Sequence, residues 1–156
     1  MSNPKLIIGW QEWVSLPDLT LPVICAKTDT GAKTSSIHAY DIKAYTKDGQ
    51  PRVSFELHPI QQSKKIKVKC DTLLHDVRSV KSSSGEVEER PVILTNLKIG
   101  GHSWKIELNL TNRDYMGCRM LIGRQAMEDK VIINPAHKFL HGQVSKQEAK
   151  NMYQVH

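Results

Sequence analysis

Long apolar runs, paired cysteines and aromatic side chains are scarce in this chain of 156 residues. None of its apolar runs approaches the length of about 20 residues that a transmembrane helix needs, and residues 1–5 show no signal-peptide pattern. The three cysteines, Cys25, Cys70 and Cys118, match no disulfide framework. We therefore expect a cytoplasmic protein with reduced thiols and no membrane partner.

Nucleic-acid and nucleotide binding also lack their usual sequence patterns. Aromatic residues make up 6% of the chain and the lysines are scattered, whereas proteins that bind single strands combine basic patches with stacking aromatics. A Gly-rich loop ending in Lys-Ser/Thr, which would cradle phosphates, is absent, so direct ATP use is unsupported. The net charge of +6 and pI near 9.3 instead favour acidic partners or substrates.

The recognised zinc patterns are missing as well. The sequence contains no His-Glu-x-x-His and no paired Cys-x-x-Cys units. The spacings Cys70-x4-His75 and His137-x3-His141 are tolerable for a metal, but unrelated residues commonly give as much in a chain of this size. We expect no metal or other cofactor. The candidate ligands would be Cys25, His38, Cys70, His75, His102, Cys118, His137 and His141.

The patterns that are present are mostly those of β-strands. Short stretches rich in β-branched and aromatic residues alternate with turn residues. Asp48-Gly49 and Gly100-Gly101 are hairpin turn signals. The predicted strands are residues 6–14, 21–26, 36–45, 53–57, 65–70, two weaker strands within 77–92, and then 92–99, 104–110, 120–122 and 130–134.

Helical patterns are few. Residues from Arg124 onward predict one or two helical turns, and Ser145-x-x-Glu148 is a capping box that opens a C-terminal helix through Tyr153. The polar segment Ser82–Gly85 predicts the flexible tip of a protruding hairpin. We find no repeat or linker, so the sequence predicts a single domain over 1–156. Its core spans about 6–135, and 136–156 form a C-terminal extension.

One turn carries a chemically distinctive carboxylate. Asp29 follows the apolar run Leu21–Ala26 and begins the string Asp-Thr-Gly-Ala. Burial, neighbouring hydroxyls and backbone amides can change the protonation behaviour of a carboxyl group in such a place. The simpler interpretation is an ordinary strand-ending turn that an Asx hydrogen bond stabilises.

A second motif favours the functional interpretation. Asp29-Thr30-Gly31-Ala32 together with the later Leu121-Ile122-Gly123-Arg124 resembles the two signatures of retropepsin-like aspartic peptidases. The wider strings Ile8-Gly9-Trp10-x-Glu12 and Ala26–Ala39 resemble a bacterial branch that carries the label "ATP-dependent zinc protease". Members of that branch are often linked to ATP-grasp ligases that add glutamate to proteins. The resemblance covers roughly residues 6–135.

The resemblance implies a mainly β, closed barrel with a flap-like hairpin and one or two short helices. It implies Asp29, Thr30 and Gly31 as the catalytic triplet, with Ala32, Gly123 and Arg124 supporting it. Lys33 stands where retroviral proteases have an acid, so the ion pair of that acid with the arginine is not carried over to Arg124. Further candidate substrate contacts are Lys33, Thr34, Ser35, His38 and Gly85.

Aspartic peptidase chemistry requires two carboxylates that share a proton. The chain contains one Asp-Thr-Gly, so the active form would be a homodimer with Asp29 from each subunit on a two-fold axis. Acidic or glutamate-tailed proteins are the implied substrates, and an ATP-grasp ligase is the implied partner. The alternatives are a non-catalytic module that binds acidic tails or the ligase, and a zinc-dependent peptidase.

Overall fold

Strands dominate the computed structural model of the chain, which describes residues 4–60, 65–81, 84–112 and 118–154. The expected mainly β class is confirmed. No helix within these ranges is long and apolar enough to cross a membrane. The elements are β1 (Leu6–Gly9), β2 (Gln11–Leu16), a 3-10 turn (Pro17–Leu19), β3 (Leu21–Thr28), β4 (Ser35–His38), β5 (Tyr40–Lys47), β6 (Gln50–Leu57), β7 (Val68–Leu73), β8 (Asp76–Lys81), β9 (Val87–Ile99), β10 (His102–Thr111), β11 (Met120–Ile122), α1 (Arg124–Met127), β12 (Val131–Asn134) and α2 (Lys146–Gln154).

Successive strand pairings form a ring around the core. β3 pairs with β2 on one side and β11 on the other, β4 lies between β11 and β10, and β10 pairs with β9. The ring closes through one pair, Ser15 of β2 opposite Lys98 of β9. β8 pairs with the first half of β9 and extends outside the ring. This arrangement fits the expected barrel with a projecting hairpin.

Two smaller sheets flank the ring. β1 pairs in parallel with β12, which brings the N-terminal and C-terminal parts of the chain together. β5, β6 and β7 form an antiparallel sheet. The turn between β5 and β6 has φ of 54° at Asp48 and 79° at Gly49. The tight hairpin expected from this dipeptide requires such positive φ angles.

Two of the predicted strands are each divided in the structure. Residues 6–14 form β1 and β2, because the chain turns at Trp10, whose carbonyl accepts a hydrogen bond from the end of β3 at 2.9 Å. Residues 36–45 form β4 and β5 in different sheets. The break lies at Ala39, whose N–H donates to Thr111 O at 2.9 Å.

Other bounds differ in smaller ways. β9 is continuous from Val87 to Ile99, whereas the sequence predicted a break near Val92. The capping box is confirmed, since the Glu148 N–H donates to Ser145 Oγ at 3.1 Å. Within the predicted hairpin tip Ser82–Gly85, residues 82–83 lie outside the described part of the chain.

Aliphatic side chains fill the interior, and each contributes about 1.5–3 kcal/mol when fully buried. α2 packs Ala149 against Val23 of β3 in a separate small cluster, while Ile24 of β3 joins the main core. The strand that leads to Asp29 is therefore packed on both faces. The largest fully buried side chains are Ile8, Leu16, Leu21, Ile24, Ile37, Leu57, Ile93, Leu97, Ile99, Ile106, Leu108 and Leu110.

Glu12 is a fully buried carboxylate that joins distant parts of the chain. It accepts hydrogen bonds from the N–H groups of Gly9 at 2.7 Å, Leu140 at 2.9 Å and His141 at 3.2 Å. A Cβ on Gly9 would lie 2.5 Å from His137 O, so the glycine permits this close approach. Glu12 thereby holds the segment before α2 against the N-terminal strands.

We predict that Glu12→Gln lowers the free energy of unfolding by about 1.5–3 kcal/mol, because one acceptor oxygen becomes an amide that faces N–H donors. Urea denaturation followed by circular dichroism measures the change. The exposed Glu86 is the matched control, and Glu86→Gln should stay within about 0.5 kcal/mol of wild type. Equal effects of the two variants would contradict a clamping role for Glu12.

Candidate active site

The loop after β3 fixes one oxygen of the Asp29 carboxylate. The Asp29 N–H donates to Ile122 O at 2.9 Å, which extends the pairing of β3 with β11 by one bond. The Gly31 N–H then donates to Asp29 Oδ1 at 2.9 Å. This Asx bond is the one that the simpler interpretation expected. What distinguishes the site is therefore its surroundings rather than the turn itself.

The second motif packs directly onto this loop. The Gly123 N–H donates to the buried Ser35 Oγ at 3.0 Å, and the Arg124 N–H donates to Ala32 O at 2.8 Å. A Cβ on Gly123 would lie 2.7 Å from the backbone carbon of Thr34. Only glycine allows such an approach without a shift of the backbone. The two sequence motifs thus form one continuous unit.

Arg124 has an acceptor that residue types alone did not indicate. Its Nη1 donates to Thr30 O at 2.8 Å. The backbone carbonyl of the triplet replaces the acidic side chain that is absent at Lys33. The carbonyl of Lys33 is itself an acceptor, for the Gln125 N–H at 2.9 Å. The start of α1 therefore anchors the loop at three carbonyls, those of residues 30, 32 and 33.

An open groove of about 850 Å³ runs between the Asp29 loop and β8. Its floor is a row of neighbours across the strands: Leu121 of β11 is paired with Ser36 of β4, and Ser36 with Asn109 of β10. Arg90 of β9 joins this row through the hydrogen bond from its side chain to Asn109, and Arg90 is paired with Arg78 of β8. The Asp29 loop and β8 form opposite walls. The lining residues are Asp29, Gly31, Ala32, Lys33, Thr34, Ser36, Arg78, Ser79, Val80, Lys81, Arg90, Asn109 and Leu121.

Two arginines face each other across strands in this groove, an arrangement that like charges alone would destabilise. Arg78 Nε donates to Asp76 Oδ2 at 2.7 Å, and Arg78 Nη2 donates to Glu107 Oε2. The hydrogen bond from Arg78 lowers the pKa of Glu107, so this carboxylate is ionised at neutral pH. The Arg78–Glu107 pair ties the projecting hairpin to β10.

The positive charge of Arg90 is compensated in a different way. The residue is buried, and its Nε donates to Glu88 Oε2 at 3.2 Å. Its Nη1 donates to Ser36 Oγ at 3.2 Å and to Asn109 Oδ1 at 3.3 Å. Because unpaired buried charge is costly, these contacts are what allow a guanidinium in the floor of the groove.

The remaining candidate substrate contacts lie in different places. Lys33 and Thr34 line the groove, whereas Ser35 is buried and supports Gly123. His38 is buried against Tyr40, with ring centroids 4.6 Å apart, and does not line the groove. Gly85 is exposed near the hairpin tip with φ of 90°.

The candidate zinc ligands are not brought together within the described ranges, where no group of three or more His, Cys, Asp or Glu side chains could hold a metal. Cys25 and Cys118 do meet, with their sulfurs 3.1 Å apart, and Gln11 donates to both. The hydrogen bond with Cys25 and burial raise the pKa of the Cys118 thiol.

The sequence did not identify Arg78, Lys81, Arg90 or Asn109 as groove residues. The hairpin itself was predicted, and its basic residues were a signal that could have been followed. Which of its faces points toward Asp29 depends, however, on the pairings of β8 with β9, β9 with β10 and β10 with β4. The first two of these pairings are hairpins between consecutive strands, whereas the pairing of β10 with β4 joins residues far apart in sequence, such as Asn109 and Ser36.

A family model described as retropepsin-like aspartic endopeptidase RimB matches residues 7–144. The chain belongs to this RimB-like family. The resemblance that the two motifs indicated is confirmed, and so is the class of fold. Membership in the RimB-like family supports a hydrolase-like interpretation of the groove at the level of the family.

The chain is also similar to longer curated proteins. A probable alpha-L-glutamate ligase from Shewanella halifaxensis is 50% identical over 155 residues, which is 99% of this chain and 34% of the ligase. One from Desulfotalea psychrophila is 49% identical over 149 residues, or 96% of this chain and 32% of the ligase. The chain thus spans about one third of the length of these curated relatives.

A solved structure shows the same fold by itself. The crystal structure of Lpg0085, a Legionella pneumophila protein of unknown function, is 33% identical with a TM-score of 0.72. The match covers 88% of this chain and 99% of that chain.

We predict that Gly123→Ala destabilises the protein by about 1–3 kcal/mol, because the added methyl group would press on the Thr34 backbone. Gly31→Ala is the comparison, since a Cβ there meets only Asp29 Oδ1, at 3.2 Å, and should cost less. Urea denaturation midpoints measure both. A Gly123→Ala protein as stable as wild type would show that the tight contact between the motifs is unimportant.

Proposed function

We propose that this RimB-like chain is an aspartic peptidase that acts as a homodimer and hydrolyses amide bonds in acidic or glutamate-tailed proteins. The observation that carries the proposal is the position of Asp29. It ends a strand that is packed on both faces, its loop is held by Gly123 and Arg124, and it opens onto a groove of about 850 Å³. An extended peptide fits such a groove between a loop and a hairpin.

The proposed chemistry uses one carboxylate as base and one as acid. Asp29 of one subunit accepts a proton from water as the water oxygen attacks the scissile carbonyl carbon. Asp29 of the partner subunit, protonated, donates its proton to the carbonyl oxygen. When the tetrahedral intermediate collapses, the C–N bond breaks and a proton passes to the leaving amine. Thr30 and Gly31 brace the pair, as the family resemblance implies.

The surface beside the triplet supports association with a second copy. A hollow of about 270 Å³ next to Thr30 and Arg124 is lined by the apolar residues Met127, Val131 and Ile133 and by the acidic residues Glu128 and Asp129. On the neighbouring β1–β12 sheet, Ile7 and Ile132 are paired and each is 53% exposed. Exposed apolar area of this kind commonly marks an interface. A dimer formed here would bring the two triplets toward each other.

The substrate class follows from charge and from the relatives. Lys33, Arg78, Lys81 and Arg90 line the groove with Asp29, and the whole chain carries a net charge of +6. Segments similar to this chain occur in proteins named probable alpha-L-glutamate ligases. We propose that the peptidase acts on glutamate that such a ligase, the ATP-grasp enzyme of the family resemblance, has added to a protein in the cytoplasm.

The names of these relatives also favour a second candidate function. A domain within a ligase could bind acidic tails and present them without cutting them. In that case binding would require the lysines and arginines of the groove and would not require the Asp29 carboxylate. Asp29 variants separate the two functions.

We predict that Asp29→Asn lowers the hydrolysis of a glutamate-tailed protein by at least about 10²–10⁴-fold, because the amide cannot act as acid or base. Mass spectrometry of the released glutamates measures the rate. A chelator such as 1,10-phenanthroline should leave the wild-type rate unchanged, and loss of activity on chelation would favour the zinc-dependent alternative. Undiminished hydrolysis by Asp29→Asn would refute an aspartic mechanism.

A mixing experiment tests the dimer. When wild type and Asp29→Asn are unfolded and refolded together in equal amounts, random pairing in a two-fold dimer leaves about one quarter of the dimers with two intact carboxylates. We predict that activity per total protein falls to about one quarter of the wild-type value. A fall to one half would show that each subunit works alone.

A further inference from the structure

The cations of the groove divide into two groups by what they already bind. Arg78 is paired with Asp76 and Glu107, and Arg90 is paired with Glu88 and bonded to Ser36 and Asn109. A substrate carboxylate at either arginine would have to displace a contact of the protein itself. The net gain in binding from the arginines is therefore small.

The two lysines are placed differently. Lys33 and Lys81 line the same groove and are exposed, and neither ammonium forms an ion pair within the ranges that the structure describes. The backbone of Lys33 is fixed by the bond of its carbonyl with the Gln125 N–H. Lys81 is the last residue of β8. A substrate carboxylate at either lysine displaces water rather than a protein contact.

We propose that Lys33 and Lys81 select consecutive acidic side chains in the bound peptide, a refinement that rests on the proposed function. Lys33 lies on the loop wall of the groove and Lys81 on the β8 wall. Successive side chains of an extended peptide point to opposite sides. Two adjacent glutamates in the groove therefore direct one carboxylate toward each wall. Glutamates separated by a neutral residue direct both carboxylates toward the same wall.

The arginines shape the groove. Arg78 ties the hairpin to β10 through Glu107, and Arg90 fills the floor. The carboxylates of Asp76, Glu107 and Glu88 offset the charges of the two arginines and the repulsion between them. The lysines are thus proposed to select the peptide, and the arginines to shape the groove. Substitution of the lysines therefore tests selection separately from the shape of the groove.

The test measures binding without turnover, in the Asp29→Asn protein. Fluorescence anisotropy with a labelled hexaglutamate peptide gives the Kd for Lys33→Gln, Lys81→Gln and the double variant. We expect each single change to raise the Kd about 2- to 5-fold and the double change about 5- to 25-fold, since exposed ion pairs are individually weak. The loss should shrink in high salt as the charges are screened.

The matched control is the double variant Lys43→Gln, Lys47→Gln on β5, which removes the same charge from two exposed lysines outside the groove. It should change the Kd less than 2-fold. An alternating Glu-Ala peptide of the same charge should lose affinity when one of the two groove lysines is substituted and keep its affinity when the other is substituted.

Three results would overturn the inference: no binding of hexaglutamate, a groove double variant no weaker than the control, or equal sensitivity of the alternating peptide to both lysines. Hydrolysis by the otherwise wild-type protein is measured in parallel. If hydrolysis occurs and its KM is unchanged by substitution of either lysine, this inference fails and the proposed peptidase function is retained. If lysine-dependent binding occurs without any hydrolysis, the inference holds and the peptidase fails.

Discussion

The site depends on one close contact, the packing of Gly123 against the backbone of Thr34. At this point a Cβ would be 2.7 Å from a backbone carbon, and the hydrogen bonds of Gly123 with Ser35 and of Arg124 with Ala32 and Thr30 all follow from it. The contact lies where β11 ends beside β3 and β4. It joins the two short motifs into one hydrogen-bonded unit. The Gly31 N–H orients the Asp29 carboxylate, and the packing of Gly123 holds the loop that carries both residues.

The arrangement also explains how the chain tolerates Lys33. In the retroviral pattern an acidic side chain at this place neutralises the arginine of the second motif. Here the Arg124 guanidinium instead donates a hydrogen bond to the Thr30 carbonyl, and Lys33 lines the groove. The lysine thereby adds a basic side chain to this wall of the groove while the loop keeps its anchor.

Local patterns were enough to predict much of this structure. Strict alternation from Trp104 to Leu110 predicted β10 because one face of that strand meets the core, and Asp48-Gly49 predicted its hairpin because few other residues tolerate the required φ. The division of residues 36–45 at Ala39 was missed, since it depends on a bond to Thr111. The Arg124–Thr30 contact was missed because its acceptor is a backbone carbonyl, which no residue type encodes.

The two arginines of the groove could not be assigned from sequence for a related reason. Arg78 and Arg90 become neighbours only through the register of β8 with β9, and Arg90 reaches the floor only because β10 places Asn109 beside Ser36. The first of these positions depends on the register of a hairpin, and the second also depends on the long-range pairing of β10 with β4. A pattern of charged residues in a hairpin is usually a solvated face, and here Arg90 is buried and both arginines line the groove that Asp29 also lines.

The loop that carries Asp29 is held by bonds from within its own chain. Its acceptors and donors come from β11, α1 and Ser35, so the triplet keeps its geometry before any second copy arrives. In the proposed homodimer, association would order little additional backbone, which removes a large part of the usual cost of forming an interface. The proposed chemistry requires two carboxylates, and a single subunit supplies one of them. Under this proposal the fold fixes where the acid lies, and association decides whether it can act.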